Sequence, residues 1–244
     1  MIKTFDARRG IALFNSEEEA IVFSVEHWIK LAKKAIDTKG AFFVALSGGS
    51  TPKQIFSKFT PDMLDWSRVF LFWSDERNAP PTDKESNYKM ALDAGFGKLP
   101  IPKEQIFRMH AEDHIEENAK AYEKTISKIL QGRPFDLIML GMGDDGHTAS
   151  LFPDTEALLI EDRLVVANYV PSKETTRMTF TFPLINKALH TVFYVLGKSK
   201  AEAVLEVFSD KRGKYPASHV GTPSHPSLWI LDKEASSMLN MCNL

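Results

Sequence analysis

Short, predominantly apolar runs recur along the chain, at positions 41–46, 69–73, 135–140, 164–167 and 192–196. Each is too short for a helix and lacks polar alternation, so each is predicted to be a strand covered on both faces. Helical patterns lie between several of them. Ser16-Glu17-Glu18-Glu19 has the form of a capping box, and Ile21, Val25, Trp28, Ala32 and Ile36 then recur at helical spacing until Gly40 ends the pattern. Positions 112–130 and 199–208 carry similar helix-like segments. Strands alternating with helices predict an α/β fold with a mostly parallel sheet, its first element a helix or nearly so.

Two segments differ from this pattern. Met178-Thr179-Phe180-Thr181-Phe182 alternates apolar and polar residues, which predicts an edge or half-exposed strand, and 227–231 reads as a last short strand. The polar stretches 80–86 and 170–174 lack the length and low complexity of interdomain linkers, and the α/β pattern continues across both. A single domain spanning residues 1–244 is the expectation.

Composition narrows the partners. The formal net charge of −2 over 244 residues gives no basic stripe for nucleic acid and no reason to expect a membrane surface, so any bound anion must be held locally. Cys242 is the only cysteine, which rules out an intrachain disulfide and favours a reducing compartment. The N-terminus lacks the apolar core of a signal peptide, and no apolar run approaches the length that spans a bilayer. A soluble, cytoplasmic protein is expected.

The chemistry gathers just after the predicted strands, where ligands collect in open α/β sheets. Gly141-Met142-Gly143-Asp144-Asp145-Gly146-His147-Thr148-Ala149-Ser150 places a histidine and two carboxylates directly behind the run 135–140. The glycines formally match a dinucleotide-binding pattern. That reading fails on charge, because a pyrophosphate would lie against Asp144 and Asp145, at a cost of about 4 kcal/mol per close like-charge pair at intermediate dielectric. Ser47-Gly48-Gly49-Ser50-Thr51-Pro52 follows another strand and precedes a helical segment. Glycines let backbone N–H groups converge on an anion, the hydroxyls of Ser50 and Thr51 add donors, and Pro52 suits a first helical turn, so this stretch is a candidate phosphate cradle. It lacks the Gly-Lys-Ser/Thr ending of a nucleotide P-loop. Trp73-Ser74-Asp75-Glu76-Arg77-Asn78 leaves a third strand, with Arg77 able to offer a bidentate fork to phosphate or carboxylate.

These three segments together, with Ser86-Asn87, Leu151-Phe152-Pro153, Arg177-x-Thr179, Gly197-x-x-Lys200 and Trp229-x-x-Asp232, resemble the 6-phosphogluconolactonase family. The resemblance runs from the first helix to the C-terminus. It implies a three-layer α/β/α, Rossmann-like domain related to the glucosamine-6-phosphate deaminase fold. The implied activity is that of a carboxylic ester hydrolase opening 6-phosphoglucono-δ-lactone in the oxidative pentose phosphate pathway, without metal or organic cofactor. In that reading His147 is the general base for water and Asp145 orients or activates its ring. The phosphate falls to Gly48, Gly49, Ser50 and Thr51, with Asp75, Arg77, Arg177 and Lys200 as further substrate-binding positions. No Gly-x-Ser-x-Gly elbow occurs, which favours direct water attack over an acyl-enzyme. The partner is a small sugar-phosphate lactone and the chain is expected to act as a monomer.

Two departures from the family pattern stand out: Asp154 where Gly is common, and Ala79 where Val is common. Gly reaches backbone angles that Asp reaches less easily. Two rivals are carried alongside. A sugar-phosphate deaminase or isomerase would place a carboxylate just before Pro153, where this chain has Phe152; a non-catalytic sugar-phosphate sensor would carry a DNA-binding segment, and no such segment is seen. His27, His110, His114, His190, His219 and His225 lack metal-ligand spacing and read as surface or packing residues, while Trp28, Trp66 and Trp229 read as core or loop anchors.

Overall fold

The computed structural model describes residues 2–209 and 213–239. Cys242, on which the redox expectation rests, lies outside the described residues. The chain opens with β1 (Ile2–Asp6) and β2 (Arg9–Phe14), followed by α1 (Glu17–Lys39), β3 (Phe42–Leu46) and α2 (Ser50–Phe56). Next come β4 (Val69–Trp73), β5 (Asp75–Arg77), α3 (Asn87–Ala94), α4 (Ile115–Leu130) and β6 (Leu137–Leu140). The remainder is β7 (Val165–Val170), β8 (Thr175–Phe180), α5 (Phe182–Ile185), β9 (Thr191–Val195), α6 (Ala201–Ser209) and β10 (Ser227–Asp232).

Seven strands form a sheet in the order β1-β2-β10-β9-β6-β3-β4, and a second sheet has the order β5-β8-β7. Within the large sheet only the β1–β2 pair is antiparallel. The predicted mostly parallel α/β sheet is therefore observed. β4 lies on one side of β3, whereas β6, β9 and β10 lie on the other. The direction of winding reverses between β3 and β6, and the crevice at their carboxyl ends is the position where such sheets bind ligands.

The helices cover both faces. On one, Trp28 of α1 meets Phe42 of β3 edge-on, with centroids 5.0 Å apart, and packs with Phe59, Trp66 and Phe96. Such aromatic pairs contribute about 0.5–1.5 kcal/mol each beyond the area they bury. On the other face, Phe72 of β4 packs against Tyr122 of α4 and against Phe135. Phe135 and Tyr122 also touch Phe180 of β8, so the small sheet shares the core of the large one. α1 begins where its capping signal lies: Ser16 Oγ accepts the Glu19 N–H, while Glu19 reaches back to the N–H of Asn15, one residue earlier than a reciprocal box would place it. Gly40, in the left-handed region at φ 81°, closes the helix.

The structure corrects four sequence expectations. The β1–β2 hairpin precedes the first helix; its Arg9 guanidinium is buried between the rings of Phe5 and Phe208 and paired with Asp6 at 2.6 Å. The run 164–167 belongs to β7 of the small antiparallel sheet rather than to the parallel one. β8 is neither an edge nor half-exposed in its apolar–polar stretch but the central strand of that sheet, with Met178, Thr179 and Phe180 all buried. Asp75-Glu76-Arg77, expected in a loop, forms β5 by pairing with β8, which places Arg77 opposite Arg177.

Candidate active site

After Leu46, residues 47–52 turn over the end of β3 into α2. Gly49 occupies the N-cap position and has no side chain to cap the helix start, so N–H groups of the first turn are left for another acceptor. Gly48 lies so close to Asn87 that a Cβ there would sit 1.9 Å from Asn87 Oδ1. Asn87 is fixed in turn: its Nδ2 donates to the backbone oxygen of Asp75 at 2.9 Å, and its N–H donates to Glu76 at 2.7 Å. Glu76 also accepts the N–H groups of Arg77 and Tyr88 and the Ser86 hydroxyl. Burial pushes the Glu76 carboxyl above its ordinary value, although its backbone N–H partners pull the other way.

The loop after β6 is organised around one imidazole. His147 Nδ1 lies 2.5 Å from Asp145 Oδ1, which also accepts the His147 N–H at 3.1 Å. With Nδ1 donating to that carboxylate, Nε2 is left as the acceptor. Burial favours the neutral acid at Asp145, but the hydrogen bond and charge of His147 outweigh it and hold the carboxyl at about 2. The imidazole stacks on Phe152, with centroids 3.9 Å apart. A Cβ at Gly143 would fall 2.1 Å from the His147 ring, so no other residue lets the chain pass there unchanged. Further back, the Ser150 hydroxyl donates to Asp75 Oδ2 at 2.7 Å, and Asn168 Nδ2 donates to Ser150 O at 2.9 Å.

Three cations face the same space. Arg77 Nη1 donates to the backbone oxygen of Glu85 at 2.7 Å, and Arg177 lies over the Phe152 ring, 5.4 Å from its centroid. The Nε atoms of both arginines are buried without a hydrogen-bond partner among the described residues. Burial pulls the Arg177 guanidinium below its ordinary value, with the charge of Asp75 opposing. Lys200 pairs with Asp144 at 2.7 Å. A cavity of about 250 Å³ gathers Gly48, Gly49, Ser50, Thr51, Asp75, Arg77, His147, Arg177 and Lys200; Asp145 stands outside its lining, bonded to His147. A larger cavity of about 1010 Å³ between α3 and α4 contains none of these groups. Among the described residues, no group of three or more His, Cys, Asp or Glu side chains could hold a metal ion, and no helix is long and apolar enough to cross a membrane.

A family model described as glucosamine-6-phosphate isomerases/6-phosphogluconolactonase matches residues 15–230. The chain belongs to that family. A 6-phosphogluconolactonase of Chlamydia trachomatis serovar D is 40% identical over 248 residues, covering 100% of this chain and 95% of the relative. One from Chlamydia pneumoniae is 45% identical over 223 residues, covering 89% of this chain and 85% of the relative. The crystal structure of 6-phosphogluconolactonase from Thermotoga maritima matches with a TM-score of 0.82 at 29% identity, covering 93% of this chain and 100% of that one. The residue before Pro153 is Phe152, against which the His147 ring lies. Sequence reasoning gave no role to Asn87 or Tyr194, both of which line the cavity. Asn87 carries a signal in the Ser86-Asn87 motif; Tyr194 sits inside an apolar run and reads as core.

Proposed function

We propose that this chain hydrolyses 6-phosphoglucono-δ-lactone to 6-phosphogluconate. The observation that carries the reading is the His147–Asp145 pair, which serves the same cavity as an uncapped, glycine-rich helix start and three cationic side chains. His147 Nε2 takes a proton from water as the water oxygen adds to C1. The tetrahedral oxyanion then collapses, the bond from C1 to the ring oxygen breaks, and His147 returns the proton to that oxygen. Asp145, ionised at neutral pH, fixes the tautomer and stabilises the transient imidazolium.

The backbone of Gly48 and Gly49, the hydroxyls of Ser50 and Thr51, and Arg77 bind the 6-phosphate. Arg177 shares the Phe152 ring with His147, which supports a role for its charge at the reacting carbonyl. Lys200, held by Asp144, supplements the positive potential from the loop after β9. Asp75 carries the charge of the substrate itself, and its oxygens are engaged by Ser150 and Asn87. Its part is therefore to orient those residues and offset the charge of Arg177. Action as a monomer and a cytoplasmic location complete the proposal, the latter because a phosphorylated substrate is retained behind membranes.

The lactone also opens spontaneously, so the test compares initial rates with and without protein on phosphorylated and unphosphorylated gluconolactone. Acceleration confined largely to the phosphorylated lactone is expected, because remote binding energy orients the reacting carbonyl. Ammonia release from glucosamine 6-phosphate, or binding of 6-phosphogluconate without lactone turnover, would overturn the reading.

A further inference from the structure

β9 is buried along its whole length, and its alternate side chains face opposite layers. Phe193 stacks on Trp229 with centroids 3.8 Å apart, and Phe208 of α6 packs on that same indole. Tyr194 therefore points the other way, into the layer of α1 and α2. α2 packs against β9, and Tyr194 lines the cavity together with Gly48, Gly49 and Thr51 at the start of that helix.

The Tyr194 side chain is 2% exposed, and its hydroxyl has no hydrogen-bond partner among the described residues. A hydroxyl buried in this way is costly, and phenylalanine would fill the same space without the cost. The cost is offset if a ligand atom completes the bond. Burial also pushes the phenol pKa up, so Tyr194 stays protonated and offers a neutral donor. His147 and Arg177, the groups at the reacting end, converge on Phe152, whereas Tyr194 approaches from the layer that carries the cradle helix.

We propose that the Tyr194 hydroxyl donates a hydrogen bond to the phosphate of the bound sugar phosphate, which makes this strand the floor of the cradle and a determinant of selection for phosphorylated substrates. The identity of that sugar phosphate rests on the functional reading above; the role of the phenol toward an anion does not.

The test is Tyr194→Phe in the full chain. KM for 6-phosphogluconolactone is expected to rise about tenfold or more with kcat within about twofold, the size of effect for a bond to a charged oxygen. Binding of 6-phosphogluconate, followed by titration calorimetry, should weaken by the same factor, while the slow rate on unphosphorylated gluconolactone stays unchanged. The melting temperature should hold or rise, because an unsatisfied buried hydroxyl has been removed. Unchanged affinity for the phosphorylated ligands, equal losses on both lactones, or a lower melting temperature would each overturn the assignment. If the unmodified protein showed no lactone turnover, the functional reading would fall by itself; calorimetry of both proteins with inorganic phosphate would still decide the role of Tyr194, with weaker binding by the Phe variant supporting it and equal binding refuting it.

Discussion

The loop of residues 141–155 is tied to itself and to the small sheet. Thr148 Oγ1 donates to Gly141 O, the Gly143 N–H to His147 O, and the Ser150 N–H to Thr179 Oγ1. Across the cavity, residues 47–52 lack such a web: the helix they start has no side-chain cap, and Gly48 is located by its close approach to Asn87. One loop uses its donors internally to fix a single imidazole. The other keeps donors for a ligand that arrives from solution. Substitutions in the first should therefore act on turnover, and substitutions in the second on affinity.

The largest effect should come from His147→Gln, which removes the proton carrier and should lower kcat by about 10²- to 10⁴-fold with little change in KM. Near-normal turnover in initial-rate assays would erase the contrast between the loops. Asp145→Asn should cost less, about 10- to 10²-fold in kcat, the worth of a charge-assisted positioning bond.

The same carboxylate gives a stability signature. Asp145 is held at about 2 against an ordinary 3.8. Its contribution is fully present above pH 3.8 and is lost as the pH falls through about 2. Acid-denaturation curves of the wild type and the Asn variant should accordingly converge at the acid end, and a constant offset down to that end would contradict this.

On the cradle side, Arg77→Ala should raise KM for the phosphorylated lactone about tenfold or more, and Thr51→Val by a few-fold, both with kcat less affected. A fall in kcat with unchanged KM would assign these residues to the reacting end. The smallest effect is expected at Asp154, whose backbone sits in the left-handed region at φ 60°. Asp154→Gly relieves that strain but frees the unfolded chain, for a net gain of about 0.5 kcal/mol or less. A melt showing a clear loss of stability would mean that the carboxylate has a structural task.

Much of this arrangement is legible in the sequence because the large sheet is buried on both faces. Runs such as Phe42–Leu46 carry no polar residue and can be read without knowing their neighbours. β5 is different: Asp75-Glu76-Arg77 has no strand-like composition and becomes a strand only through its pairing with β8. The β1–β2 hairpin is hidden because Arg9 opens a strand that its charge would normally exclude, and the rings that cover the guanidinium come from both ends of the chain. At the site, the motif residues are legible because glycines, hydroxyls and charges stand out against apolar strands. Tyr194 is not, because an aromatic residue within an apolar run gives no sign of whether its polar end meets a partner.

The order of the large sheet also governs how the molecule is made. β10, the last described strand in the chain, lies between β2, near the start, and β9, and is hydrogen-bonded to both. Until it is inserted, the β1–β2 hairpin has no place in the sheet, and β2 and β9 each present an unpaired edge of the kind that recruits other chains. Pairings so distant in sequence form slowly. During synthesis the sheet cannot close before residues 227–232 have left the ribosome, and the interval before that is when the chain is most prone to aggregate.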